Sequence, residues 1–182
     1  MPDPSPPRRS GLRHALRGLV YGVFYRLPVP LRRAVVRRLV RTYVVGAVVV
    51  LRDAADPDRI LLLRQPPGRG WTLPAGLLRK AEAPADGAVR ELAEETGIRL
   101  TPAQLQPATP NALVHARGWI DLVYTAQVPA AHVTPVVDGA EVWEAAWHHR
   151  AALPPLTPAT ARLLGHYGIG PQASDRDGEQ PA

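Results

Sequence analysis

Residues 76–98 read GLLRKAEAPADGAVRELAEETGI, and this stretch decides most of what the chain can be. Pro84 suits the first position of a helix and Gly97 suits a helix stop, so the pattern predicts a helix over Pro84–Thr96. Glu91, Glu94 and Glu95 fall on it at offsets of 0, 3 and 4, which at about 100° per residue places three carboxylates within roughly 100° of one another. Like charges so placed repel by ~0.2–0.5 kcal/mol per pair on an exposed helix. The cluster therefore favours a compensating cation. Hard divalent metals with oxygen ligands match it, since Mg²⁺ binds through a few carboxylates together with substrate phosphates. Arg90, next to the cluster, is placed to hold one carboxylate. The chain has no cysteine, which removes thiolate zinc sites and disulfides.

Outward from this segment the periodicity is that of β structure. Tyr43–Leu51 is a continuous β-branched run, expected for a strand buried on both faces. DAADPD supplies a turn before a second strand at Ile60–Arg64, so a hairpin is expected. Trp71–Leu73 reads as a short extended piece, Leu113–Val128 as a hairpin turning near Arg117-Gly118, and Glu141–Trp147 as a strand. A closing helix is expected over Pro158–Tyr167, with Thr157 as N-cap and Pro158 at the first helical position. The four tryptophans read mostly as core. His148 and His149 are not read as a metal pair, because neighbours on a strand point to opposite faces.

The net charge of +6 over 182 residues is unevenly spread. Residues 1–42 hold ten arginines and one acid, Asp3, a net +9 that leaves −3 for the remainder. A uniformly basic nucleic-acid-binding domain is thus disfavoured, and aromatic residues interleaved for base stacking are missing. Residues 1–10 are Pro-rich. Leu12, Leu16, Leu19, Val20, Val23, Phe24 and Leu27 then recur at helical spacing, Pro28 and Pro30 end that helix, and a second amphipathic helix is expected over Leu31–Arg41. No apolar run approaches the ~20 residues that span a bilayer. The arm is open to three readings: packing on the domain or on a second copy, lying on an anionic membrane, or extending the site toward a polyanionic or lipid diphosphate. Lys80 is the single lysine among 22 basic residues, and with 21 prolines this points to a GC-rich, bacterial coding bias.

Gly76, Glu82, Arg90-Glu91-Leu92, Glu94-Glu95 and Gly97-Ile98 match all nine fixed positions, over 23 residues, of the signature of the Nudix hydrolase family. The chain resembles that family over about residues 43–167. The resemblance implies an α/β fold, an α/β/α sandwich around a mixed sheet with an extra helical arm, and Mg²⁺- or Mn²⁺-assisted hydrolysis of a diphosphate linked to another group. It implies metal ligation by Glu91, Glu94, Glu95 and the Gly76 carbonyl, with Glu82 as an outer ligand and Arg90 orienting a carboxylate. Glu141 and Glu144 lie where such proteins often place another ligand or base, and Glu94 and Glu141 are the candidates for the catalytic carboxylate. Arg64, His115 and Arg117 are candidates for substrate contact. The chain departs from the usual pattern at Ala75, Ala81 and Ala83, where Gly, Gly and a capping Ser or Thr are common. An Ala cap costs ~1 kcal/mol, and Gly87 within the helix roughly another 0.5–1 kcal/mol.

The expected organisation is an arm at 1–42, the catalytic domain at 43–170 and a polar tail at 171–182, in a cytoplasmic protein open to membrane association through the arm. The expected partner is a small phosphorylated substrate, with a homodimer and a peripheral membrane contact left open and no specific nucleic acid. The rival reading is a non-catalytic module of the same fold that binds a phosphorylated ligand. Nucleotides, nucleotide sugars and isoprenoid diphosphates all remain open as ligands.

Overall fold

A computed structural model describes residues 11–40, 42–115 and 118–173. The chain divides into two compact units, 1–42 and 43–182. In the first, the helical periodicity appears as α1 (Gly11–Arg26) and α2 (Val29–Leu39). The second helix starts two residues before the expected Leu31. Pro28 serves as its N-cap and Pro30 falls in its first turn, where the missing N–H costs nothing.

The second unit is built on β1 (Val44–Asp53), whose run Ala47–Leu51 is buried on both faces as its apolar sequence requires. It pairs in parallel with β6 (Trp119–Val128) from Val44↔Trp119 to Asp53↔Val128. The sheet is mixed, ordered β3-β2-β1-β6-β5, with β4 against β1 and β7 against β2. Here β2 is Arg59–Arg64, β3 Trp71–Thr72, β4 Ala75–Leu77, β5 Gln106–His115 and β7 Glu144–His149. Strand alternation sorts the core into two layers. Val49 and Leu51 face Ala88 and Leu92 of α3 (Pro84–Thr96), while Val48 and Val50 face Leu163 and Leu164 of α4 (Pro158–Gly165). The result is an α/β/α sandwich. Gly97 closes α3 at φ 71°, and the Thr157 hydroxyl accepts from the Thr160 N–H to open α4.

Three expectations need correction. β5 begins at Gln106 rather than Leu113: Pro107 and Pro110 argue against a strand, yet β5 is an edge strand whose register shifts between Pro107 and Ala112, and both conditions tolerate proline. β7 begins at Glu144 rather than Glu141, because the Asp138 carboxylate accepts from the N–H groups of Ala140, Glu141 and Val142 and makes that stretch a turn. The tryptophans are not mostly core either. Trp119 and Trp143 are exposed, Trp143 lying over Gly68, while Trp71 and Trp147 are half-buried.

Candidate functional site

The carboxylates of Glu91, Glu94 and Glu95 are positioned by α3 lying across β4. Ala75 and Gly76 pair with Val48 and Ala47 of β1, which fixes the backbone beneath the helix. A Cβ on Gly76 would fall on the Glu91 carboxylate, so this backbone approaches that side chain as only glycine permits.

Arg90 organises the cluster. Its Nε and Nη2 donate to Glu82 at 2.7 and 2.9 Å, its Nη1 donates to Glu91 at 2.6 Å and to Glu94 at 3.0 Å, and Nη2 also reaches the Leu77 carbonyl at 3.1 Å. Glu94 receives a second cation, Arg79 Nη2, at 3.0 Å. Glu82 also accepts from the Arg79 N–H, and Arg90 together with that bond holds its carboxyl down at about 2. Arg90 itself is raised further above its ordinary value, chiefly by Glu82.

Glu95 behaves oppositely. Burial pushes its pKa up to about 7, and the charges of Glu91 and Glu141 add to the rise. Hydrogen bonds from the Ala75 N–H at 2.9 Å and from Gln65 Nε2 at 2.7 Å only partly offset it. Gln65 is a site residue that the sequence reading missed, since a single Gln at a strand end carries no spacing signal. Glu141 is exposed on its turn, yet its charge is felt at Glu95.

Among the described residues no three His, Asp or Glu side chains converge as a ready set of metal ligands, because guanidiniums hold Glu82, Glu91 and Glu94. The donor set nevertheless fits a hard divalent cation. The Glu91 carboxylate lies against a side-chain-free Gly76, and its charge and that of the half-buried Glu95 disfavour each other until a cation is shared.

Beside the cluster lies a cavity of about 730 Å³, whose lining includes Ala75, Trp119, Asp121, His115, Thr160 and Arg162. Asp121 accepts from Trp119 Nε1 at 2.7 Å and from His115 Nε2 at 2.8 Å. Gly46 joins the two regions: a Cβ there would meet Asp121 Oδ1 at 3.2 Å and the Gly76 carbonyl at 3.3 Å. Of the substrate candidates, His115 lines this cavity. Arg64 pairs instead with the exposed Glu144 at 4.0 Å, and Arg117 lies outside the described residues. The Asp121 and Trp119 arrangement was not anticipated, because it depends on the β5–β6 register. His148 packs edge-on against Trp71, whereas His149 Nδ1 accepts from the Ala151 N–H, so the two histidines do serve different surroundings.

The model of the NUDIX domain family matches residues 42–167. A MutT-like protein of Streptomyces ambofaciens is 38% identical over 80 residues, which is 44% of this chain and 47% of that protein. The chain spans about half or less of the curated relatives it matches. Among solved structures, a MutT NUDIX hydrolase from Burkholderia pseudomallei aligns with a TM-score of 0.53 at 29% identity, over 65% of this chain and 93% of that one. The NUDIX domain of Shewanella oneidensis NrtR, solved with ADP ribose, aligns with a TM-score of 0.53 at 21% identity, over 71% and 89%.

Proposed function

The chain belongs to the NUDIX domain family, and from that premise we propose that it hydrolyses a diphosphate linkage in a nucleoside diphosphate derivative or related phosphorylated metabolite, assisted by Mg²⁺ or Mn²⁺. The observation that carries this reading is the stretch Ala75-Gly76: Glu91 lies against Gly76 and Glu95 accepts from the Ala75 N–H, while Ala75 also lines a cavity large enough for the organic half of such a substrate.

Glu91, Glu94, Glu95 and the Gly76 carbonyl would hold the metal, with Glu82 as an outer ligand. When bound, it supplies charge neutralisation at the phosphate oxygens and an acidified water. Arg90 keeps Glu82, Glu91 and Glu94 in register. Trp119 offers an aromatic face to a ring, while Asp121 fixes the Trp119 edge. ADP ribose in the Shewanella domain supports a nucleotide-like occupant.

A panel of nucleoside diphosphate sugars, including ADP-ribose, nucleoside triphosphates and isoprenyl diphosphates, assayed with Mg²⁺ or Mn²⁺ for the nucleoside monophosphate and sugar phosphate, pyrophosphate or phosphate that each cleavage would release, tests the proposal. Hydrolysis that EDTA abolishes and Glu94→Gln reduces at least ~10²-fold is the expected result. Tight binding without turnover would instead assign the chain to a non-catalytic module, and turnover untouched by EDTA would remove the metal from the mechanism.

A further inference from the structure

We propose that the first unit is a membrane-seating element, a helical pair that lies on an anionic phospholipid surface and takes lipid phosphate between its arginines.

The charge pattern is one-sided. Residues 11–42 contain eight arginines and no acid. None of the arginines at positions 17–38 forms a salt bridge among the described residues. Three of them, Arg32, Arg33 and Arg37, line a groove of about 550 Å³ together with the apolar side chains Phe24, Val29 and Val36. A guanidinium set beside an apolar wall matches a phosphodiester attached to an acyl chain. Arg32 also sits 5.9 Å from the centroid of the exposed Tyr25 ring, an aromatic suited to the headgroup level.

The apolar surface of α1 points the same way. Leu16, Leu19, Val20 and Val23 are each more than half exposed, and their offsets of 0, 3, 4 and 7 from Leu16 place them on one stripe. No residue of α2 is buried. No helix among the described residues is long and apolar enough to cross a membrane, so this pair lies on the surface rather than spanning it.

Other occupants match only half of these features. Nucleic acid would answer the arginines but leave the Leu16–Val23 stripe in water. A second copy would cover the stripe but bring its own eight arginines against these eight. An anionic bilayer satisfies both, with phosphates meeting guanidiniums and the stripe entering the acyl boundary.

The experiment is sedimentation of the full chain with vesicles of phosphatidylcholine alone and of phosphatidylcholine mixed with phosphatidylglycerol. Pelleting is expected with the mixed vesicles only, declining as salt rises. Arg32→Gln/Arg33→Gln/Arg37→Gln should weaken binding by about fivefold per guanidinium, roughly a hundredfold in all. The matching triple Arg→Lys variant should retain most of it, which separates loss of charge from loss of the helices, and circular dichroism on both checks helicity. Leu19→Gln/Val23→Gln should weaken binding while leaving its salt dependence.

Absence of pelleting at low salt overturns the proposal, as does equal pelleting with phosphatidylcholine alone. A nucleic-acid complex or a concentration-dependent dimer that forms while vesicles fail to pellet the protein overturns it equally. Since vesicle binding is read without turnover, it stands or falls apart from the hydrolytic reading.

Discussion

Gly76 acts through the side chain it lacks. Because a Cβ would fall on the Glu91 carboxylate, Gly76→Ala must push that group off its present place against this backbone. Displacements of about 1 Å cost ~10²-fold in rate, so kcat should fall at least that far while the melting temperature moves little; equal losses of both would make Gly76 a folding residue only. Ala81 shows the reverse problem. It sits at φ 61° with a Cβ, and Ala81→Gly should raise stability by about 1 kcal/mol, read from the urea midpoint. Gly87 was expected to weaken α3. A Cβ there would strike Leu78 and press on Glu82, so Gly87→Ala is expected to destabilise despite its better helix propensity. The spacing of the box identified these positions because its chemistry is local. It carried no sign of Gln65, which reaches Glu95 from 30 residues away.

At the scale of elements, the continuous run of β1 and the caps of α3 were readable, because burial on two faces and a left-handed stop each demand particular residues. β4 was not. Three residues paired only through register with β1 leave no period to detect. Where elements join, a single buried carboxylate does much of the fastening. Asp53, at the end of β1, accepts from the N–H groups of Ala130 and Ala55 and from Arg59 Nη1, each at 3.1 Å. These bonds, the Ala130 bond foremost, hold its carboxyl below the ordinary 3.8 despite burial. A depressed folded-state pKa means that the native protein binds fewer protons than the unfolded chain. The stabilisation is therefore fully present above pH 3.8 and is lost as pH falls through the lower folded value. Asp53→Asn should flatten the acid limb of the stability curve below that pH and lower stability at neutrality; an acid limb identical to the parent's would place its origin elsewhere.

The site as a whole is assembled from the end of β2, from β4, from α3 and from the turn before β7, while its neighbouring cavity draws on β5, β6 and α4. No local pattern reports such meetings, which is why the clustering of carboxylates on α3 was legible and the neighbouring cavity was not. The division of labour can be separated kinetically. Asp121→Asn disturbs the support of Trp119 and His115 but not the α3 cluster, so KM should rise several-fold with kcat nearly constant. Glu141 belongs to the other half. The Asp138 carboxylate fixes its turn through three backbone N–H groups. Its side chain is exposed, makes no ion pair among the described residues, and still raises the proton affinity of Glu95. Glu94 is held by two guanidiniums, Glu95 by two hydrogen-bond donors and Glu91 by Arg90, whereas the Glu141 carboxylate makes no ion pair among the described residues while its charge is felt at Glu95. If it takes the proton from the attacking water, Glu141→Gln should lower kcat by roughly 10²-fold or more with KM little changed, and the loss should persist at saturating Mg²⁺. A decrease below about threefold, on the same general-base scale, would return that role to α3 and leave Glu141 as a solvated charge.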